Sequence, residues 1–143
     1  MNKLVLILAI LIAATSFGQR KHGAKPSGSG GPLLESQARY DVQRYEVRLE
    51  IFPEEKKIEG ETQVDVIVTS PLNQLVLDLD TAMHIFRVFE RLDANHFGKR
   101  RDYHRQEGIL RIELGKTYNA GEKLSVIVSY GGHPKEAVSP PWV

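Results

Sequence analysis

The chain has 143 residues, with 19 basic side chains, 18 acidic side chains and no cysteine. This length accommodates one small domain, and the absence of cysteine excludes disulfides and thiolate metal ligands. The near-neutral charge excludes the strong positive field with which proteins attract nucleic acid or anionic membranes. The fold must therefore rely on an apolar core.

Residues 1–18 have the form of a secretory signal. Lys3 supplies the positive start, residues 4–14 form an uninterrupted apolar run, and Ser16 and Gly18 are small residues where signal peptidase cleaves. The run is shorter than the ~20 residues that span a bilayer, which disfavours the alternatives of a retained anchor or a buried helix. We expect the protein to be exported, either to the periplasm or out of the cell, and to have no membrane contact after the signal is cleaved.

Residues 19–36 are predicted to be a linker. Glycine, serine and proline dominate between Gln19 and Pro32, and almost nothing apolar is available for burial. Such a composition cannot compensate for the entropy lost on ordering. We expect a flexible segment, followed by one folded domain over residues 37–143.

Period-two alternation predicts the strands of that domain. Tyr45, Val47, Leu49 and Ile51 are apolar, and the residues between them are charged, which is typical of a strand with one wet face. Similar runs follow over residues 58–68, 75–79, 85–92, 110–114 and 124–130. About seven short strands separated by turns predict an all-β fold, an antiparallel β-sandwich or curled double sheet. The expected core is Tyr45, Val47, Leu49, Ile51, Val64, Val66, Leu77, Ile112, Val126 and Val128.

Five segments in a fixed order carry a resemblance to a known family. They are Tyr40–Leu49, with its tyrosine-aspartate start, Lys57–Thr62, Leu75–Asp80, Ala120–Gly132 and Pro140–Trp142. Together they resemble the amino-terminal β-domain of aminopeptidase N-like zinc metallopeptidases, the gluzincin aminopeptidases. The remaining interpretation is an unrelated exported β-sandwich, because alternating strands occur in many folds.

The resemblance implies a function for the larger protein rather than for this chain. Full-length members remove amino-terminal residues from peptides with a zinc held by two histidines and a glutamate. The H-E-x-x-H motif is absent here, so the chain is expected to be a fragment that ends before the catalytic domain. Its implied role is to pack on that domain and help wall the substrate cleft. The alternatives are a stand-alone binding module for protein or glycan and, less favoured, an intact enzyme.

The histidines do not form a ligand set. His22 lies in the linker, and His84, His96, His104 and His133 lack the close spacing that presents two imidazoles to one ion. We therefore expect no catalytic, cofactor-binding or metal-ligating residue in this chain, and zinc only in the full-length family.

Three other features are interpreted as structural. The basic segment 96–105 contains aromatic residues, as single-stranded nucleic-acid sites do, but a solvated hairpin rim is favoured and no nucleic-acid partner is expected. Asp78 and Asp80 share a strand face without a nucleophile beside them. Trp142 is expected to anchor the exit strand or to lie in an apolar patch facing the missing catalytic domain.

Overall fold

The computed structural model describes residues 33–91 and 98–135. The predicted signal, most of the linker, His96 and Trp142 lie outside them. The described elements are a short 3-10 helix and eight strands: Gln37–Arg39, then β1 Tyr40–Phe52, β2 Lys57–Val68, β3 Leu72–Asp78, β4 Met83–Arg91, β5 Lys99–Arg100, β6 Tyr103–Gln106, β7 Ile109–Tyr118 and β8 Lys123–Gly132. The predicted all-β fold is confirmed. None of the described helices is long and apolar enough to cross a bilayer.

The strands form two antiparallel sheets. The first, sheet A, has five strands in the order β1-β2-β8-β4-β5, and the second, sheet B, has three in the order β3-β7-β6. The β6–β7 hairpin shows how local sequence sets this pairing. Gln106 opposes Ile109 across a two-residue turn, and Glu107 and Gly108 in that turn both have positive φ. Such turns follow the natural twist of paired strands.

The core lies between the inner faces of the two sheets. Sheet A contributes valines of β2, β4 and β8, and sheet B contributes Leu75, Leu110 and Ile112. Among the ten residues expected in the core, the buried ones are Val64, Val66, Ile112, Val126 and Val128. Leu77 is half-buried and packs against this cluster. Alternation therefore predicted the correct face in the central strands.

The prediction of burial for the second half of β1 is wrong. Tyr45, Val47, Leu49 and Ile51 are 51–65% exposed, although they oppose Val64, Thr62, Gly60 and Ile58 of β2 and so lie on the core-facing side of sheet A. The first part of the same strand does pack on the core, through Tyr40 and Val42. The phase was correct, but no described side chain of sheet B covers this part of sheet A.

Candidate interaction surface

The described histidines are separate surface residues. His84 on β4, His104 on β6 and His133 after β8 are all exposed. Within residues 33–91 and 98–135, no three His, Cys, Asp or Glu side chains are grouped as metal ligands would be. These residues therefore do not fit a zinc ion.

Asp78, Asp80 and the basic segment have local structural partners. The Gln37 amide donates to Asp78 at 3.0 Å, and Asp80 accepts the backbone N–H of Ala82 at 2.8 Å. In the basic segment, the Arg105 guanidinium donates to the Leu79 carbonyl at 3.1 Å and to the carbonyls of Met83 and Asp80. Asp78 thus accepts from a side-chain amide and Asp80 from a backbone N–H, which supports a structural interpretation of both aspartates.

The largest unexplained feature is the exposed apolar side of β1, which we call the β1 face and define as Tyr45, Val47, Leu49 and Ile51. Four large apolar side chains at every second position form one continuous strip. Single exposed apolar residues are ordinary, but a contiguous strip typically marks an interaction site.

Gly60 shapes the middle of the β1 face. A β-carbon at this position would lie 2.7 Å from Leu49 Cδ2 and 3.0 Å from the Tyr130 ring, which is closer than real contacts allow. The missing side chain lets Leu49 and Tyr130 lie over the β2 backbone. The Tyr130 hydroxyl is fixed by the Thr62 hydroxyl, at 3.1 Å. The result is a largely apolar surface on which the Tyr130 hydroxyl already has a hydrogen-bond partner.

The strip ends at a depression of about 510 Å³ beside the β1–β2 turn. Ile51, Phe52, Ile58 and Pro134 provide apolar walls, with Lys57 at the rim. The Lys57 ammonium lies 2.7 Å from Glu59 and 5.2 Å from the centre of the Phe52 ring. The depression extends the apolar surface beyond the strand itself.

The other side of β1 is polar from Arg44 to Glu50. Arg44 binds Asp65 of β2 at 2.8 Å, and Arg48 binds Glu46 at 2.6 Å and Glu61 at 3.7 Å. Exposed ion pairs of this kind contribute little to stability. They keep one side of the strand in water. On the other side, no described residue forms the layer that normally packs against one face of an antiparallel sheet.

The core contains a buried ionic cluster that was not predicted from the sequence. Glu90 is 1% exposed; it accepts hydrogen bonds from the Arg101 guanidinium at 2.5 Å, from the Gly115 backbone N–H at 3.3 Å and from the Tyr118 hydroxyl. Burial, and then the bond to Glu90, raise the pKa of Tyr118. Every polar atom of the carboxylate is thus satisfied, which marks a structural group.

Gly115 is required by this cluster. A β-carbon there would lie 2.1 Å from Nη2 of Arg101, so any side chain would displace the guanidinium from Glu90. The signal available in the sequence was a charged residue two positions after Val88, on the same face of a largely apolar strand.

An M1 zinc metallopeptidase from Deinococcus radiodurans, in a mutant form bound to a Tyr-Ser-Ala substrate, matches at 22% identity and a TM-score of 0.57 over 75% of this chain. A two-domain M1 zinc metallopeptidase mutant bound to L-tryptophan matches at 24% identity and a TM-score of 0.60 over 73%. The chain has the fold of part of an M1 zinc metallopeptidase.

The match covers only a small part of the solved enzymes. The aligned region is only 23% of each of those longer chains. No family model and no curated protein matches the sequence. The fold that the resemblance implied is thus confirmed. In the matched structures, a β-unit of this kind is a minor share of a larger enzyme.

Proposed function

We propose that this chain is the non-catalytic β-domain of an exported zinc aminopeptidase, and that it packs on a catalytic domain and helps wall the substrate cleft. The observation that carries the proposal is the uncovered β1 face. It is apolar, continuous and on the core side of its sheet, in a fold that the matched peptidases carry as less than a quarter of their length.

The energetics favour a protein partner for this face. Complete burial of a side chain of this size contributes about 1.5–3 kcal/mol, and the residues of the β1 face are 51–65% exposed, so only part of that gain remains for each. Tyr45, Val47, Leu49 and Ile51 together still provide several kcal/mol, which is enough to offset part of the entropy lost on association. A domain held on the same polypeptide loses less of that entropy.

Zinc and its ligands belong to the catalytic domain in this proposal. A catalytic zinc site needs three protein ligands and an open position. Residues 33–91 and 98–135 offer no such set, so in this proposal the hydrolysis itself is assigned to the catalytic domain. In this proposal the β-domain covers part of the catalytic domain's surface and limits access to the substrate cleft. The peptide substrate would contact it only in the assembled enzyme.

We predict that the purified full chain contains no stoichiometric zinc and does not release amino acids from aminoacyl anilides. Elemental analysis after dialysis against zinc, and an assay with and without added zinc, test this directly. A full-length M1 aminopeptidase is the positive control. Metal-dependent release by this chain alone would contradict the proposal, and tight binding of a glycan or an unrelated protein would favour the stand-alone module.

A further inference from the structure

The edge of β1, as distinct from its face, is also available for an interaction. β1 is 13 residues long and occupies one end of sheet A, where its only described partner is β2. Beyond the bulge between Val42 and Arg44, the register with β2 is regular as far as Phe52. Proline, bulges and charged side chains are the usual devices that protect an edge strand. The segment from Arg44 to Phe52 contains no proline and no bulge, and its four charges are balanced in sign.

The charges along this edge are self-complementary in one antiparallel register. Arg44, Glu46, Arg48 and Glu50 alternate in sign at every second position. When two copies pair about Val47, each Arg48 lies opposite Glu46 of the second copy and each Arg44 lies opposite Glu50. All four pairs are attractive. A shift of the centre to Glu46 or Arg48 places like charges opposite one another, which is unfavourable.

The same register also matches the apolar side. Val47 lies opposite Val47 of the second copy, and Tyr45 lies opposite Leu49. These are aromatic–aliphatic and β-branched pairs, which are favourable across antiparallel strands. A register centred on Leu49 has only two attractive charge pairs, both Arg48–Glu50, and places Glu46 opposite Phe52. A register centred on Tyr45 also has only two, both Arg44–Glu46. The pattern therefore selects Val47 as the centre.

We propose that the free edge of β1 pairs with β1 of a second copy of this chain, antiparallel and centred on Val47, so that the two five-stranded sheets join into one. The pairing gives the outward backbone groups of β1 hydrogen-bond partners and follows the two-fold symmetry usual in homodimers. It uses the edge of β1, whereas the proposed peptidase role uses its face, so either proposal can fail alone.

A cysteine scan tests the register in the full chain, which has no cysteine of its own. In Val47→Cys the two thiols face each other at the ~4.5–5.5 Å Cα separation of opposed strand residues, which is within disulfide range. Leu49→Cys is the matched control, since both residues are 51% exposed. Its two thiols would lie four residues apart along the sheet, about 13 Å. Mild oxidation should crosslink only Val47→Cys; equal crosslinking of both variants would overturn the register.

Charge variants test the edge independently of disulfides. Glu46→Lys with Glu50→Lys makes the edge wholly positive, and Arg44→Glu with Arg48→Glu makes it wholly negative. Analytical ultracentrifugation should show dimers for the wild type, monomers for each variant, and heterodimers for their equimolar mixture. If the wild type stays monomeric up to ~100 μM, the Kd of self-association is weaker than that concentration, too weak for a specific dimer. That result would overturn the proposal. So would dimers that survive in both variants.

Discussion

Val126→Asp should unfold the chain, whereas Leu49→Asp should leave it folded. Val126 is 0% exposed at the centre of the core, and Leu49 is 51% exposed on the β1 face. An isolated carboxylate without partners in a core costs several kcal/mol even after its pKa adjusts. That is comparable with the whole stability of a small domain, about 5–15 kcal/mol. At an exposed strand position, the same substitution costs less than about 1 kcal/mol.

Urea unfolding followed by circular dichroism distinguishes the two variants. The expected result is no folded baseline for Val126→Asp and a midpoint close to wild type for Leu49→Asp. An equal loss in both would show that the β1 face is covered within this chain, and the candidate interaction surface would then be withdrawn.

Arg101→Ala should produce the second largest loss of stability, about 3–5 kcal/mol, because it leaves the Glu90 carboxylate buried without its cation. The Arg101 side chain is 12% exposed and that of Glu90 is 1% exposed, so water cannot replace the missing guanidinium. Arg100→Ala is the matched control. Arg100 immediately precedes Arg101 and its side chain is exposed. Its removal should change the free energy of unfolding by less than about 0.5 kcal/mol.

A double variant identifies the cause of that loss. Adding Glu90→Gln to Arg101→Ala removes the uncompensated charge and should restore part of the free energy of unfolding. Thermal or urea unfolding of the four proteins forms a double-mutant cycle. If Arg101→Ala and Arg100→Ala destabilise equally, the Glu90–Arg101 pair does not contribute as the structure indicates.

Strand positions and faces could be predicted because alternation is local. The run from Tyr45 to Ile51 has the correct phase, and the central valines of β2 and β8 are buried as expected. What alternation cannot reveal is how many strands the opposing sheet contributes. The number of strands in the opposing sheet decides whether a core-facing side chain is covered. Sheet B has three described strands against five in sheet A, and the β1 face is exposed.

The weak phase of the β4 sequence also has a structural cause. A bulge between Ile85 and Arg87 interrupts the pairing with β8. It leaves the Phe86 side chain 54% exposed, with its ring close to Gly131. Beyond the bulge, Val88 and Glu90 return to the core face. A single inserted residue thus obscured the alternation that would have identified Glu90 as buried. The partners of Glu90 could not be predicted either, because Arg101 and Tyr118 are distant from it in sequence.

The most direct test of the account is whether a catalytic domain binds the β1 face. The probe is the H-E-x-x-H domain that the proposal expects the same gene to encode, expressed as a separate polypeptide and added to the full chain. A partner that binds only the folded state stabilises it by about 2.7 kcal/mol at a hundredfold excess over Kd, so the melting temperature of the wild type should rise.

Leu49→Asp, which remains folded, is the control for the surface. Its melting temperature should not change on addition of the same domain, because a carboxylate would be buried at the interface. An equal rise in both proteins would place the contact elsewhere. No rise in the wild type, or a gene that encodes no such domain, would contradict the proposal that this chain belongs to a zinc aminopeptidase.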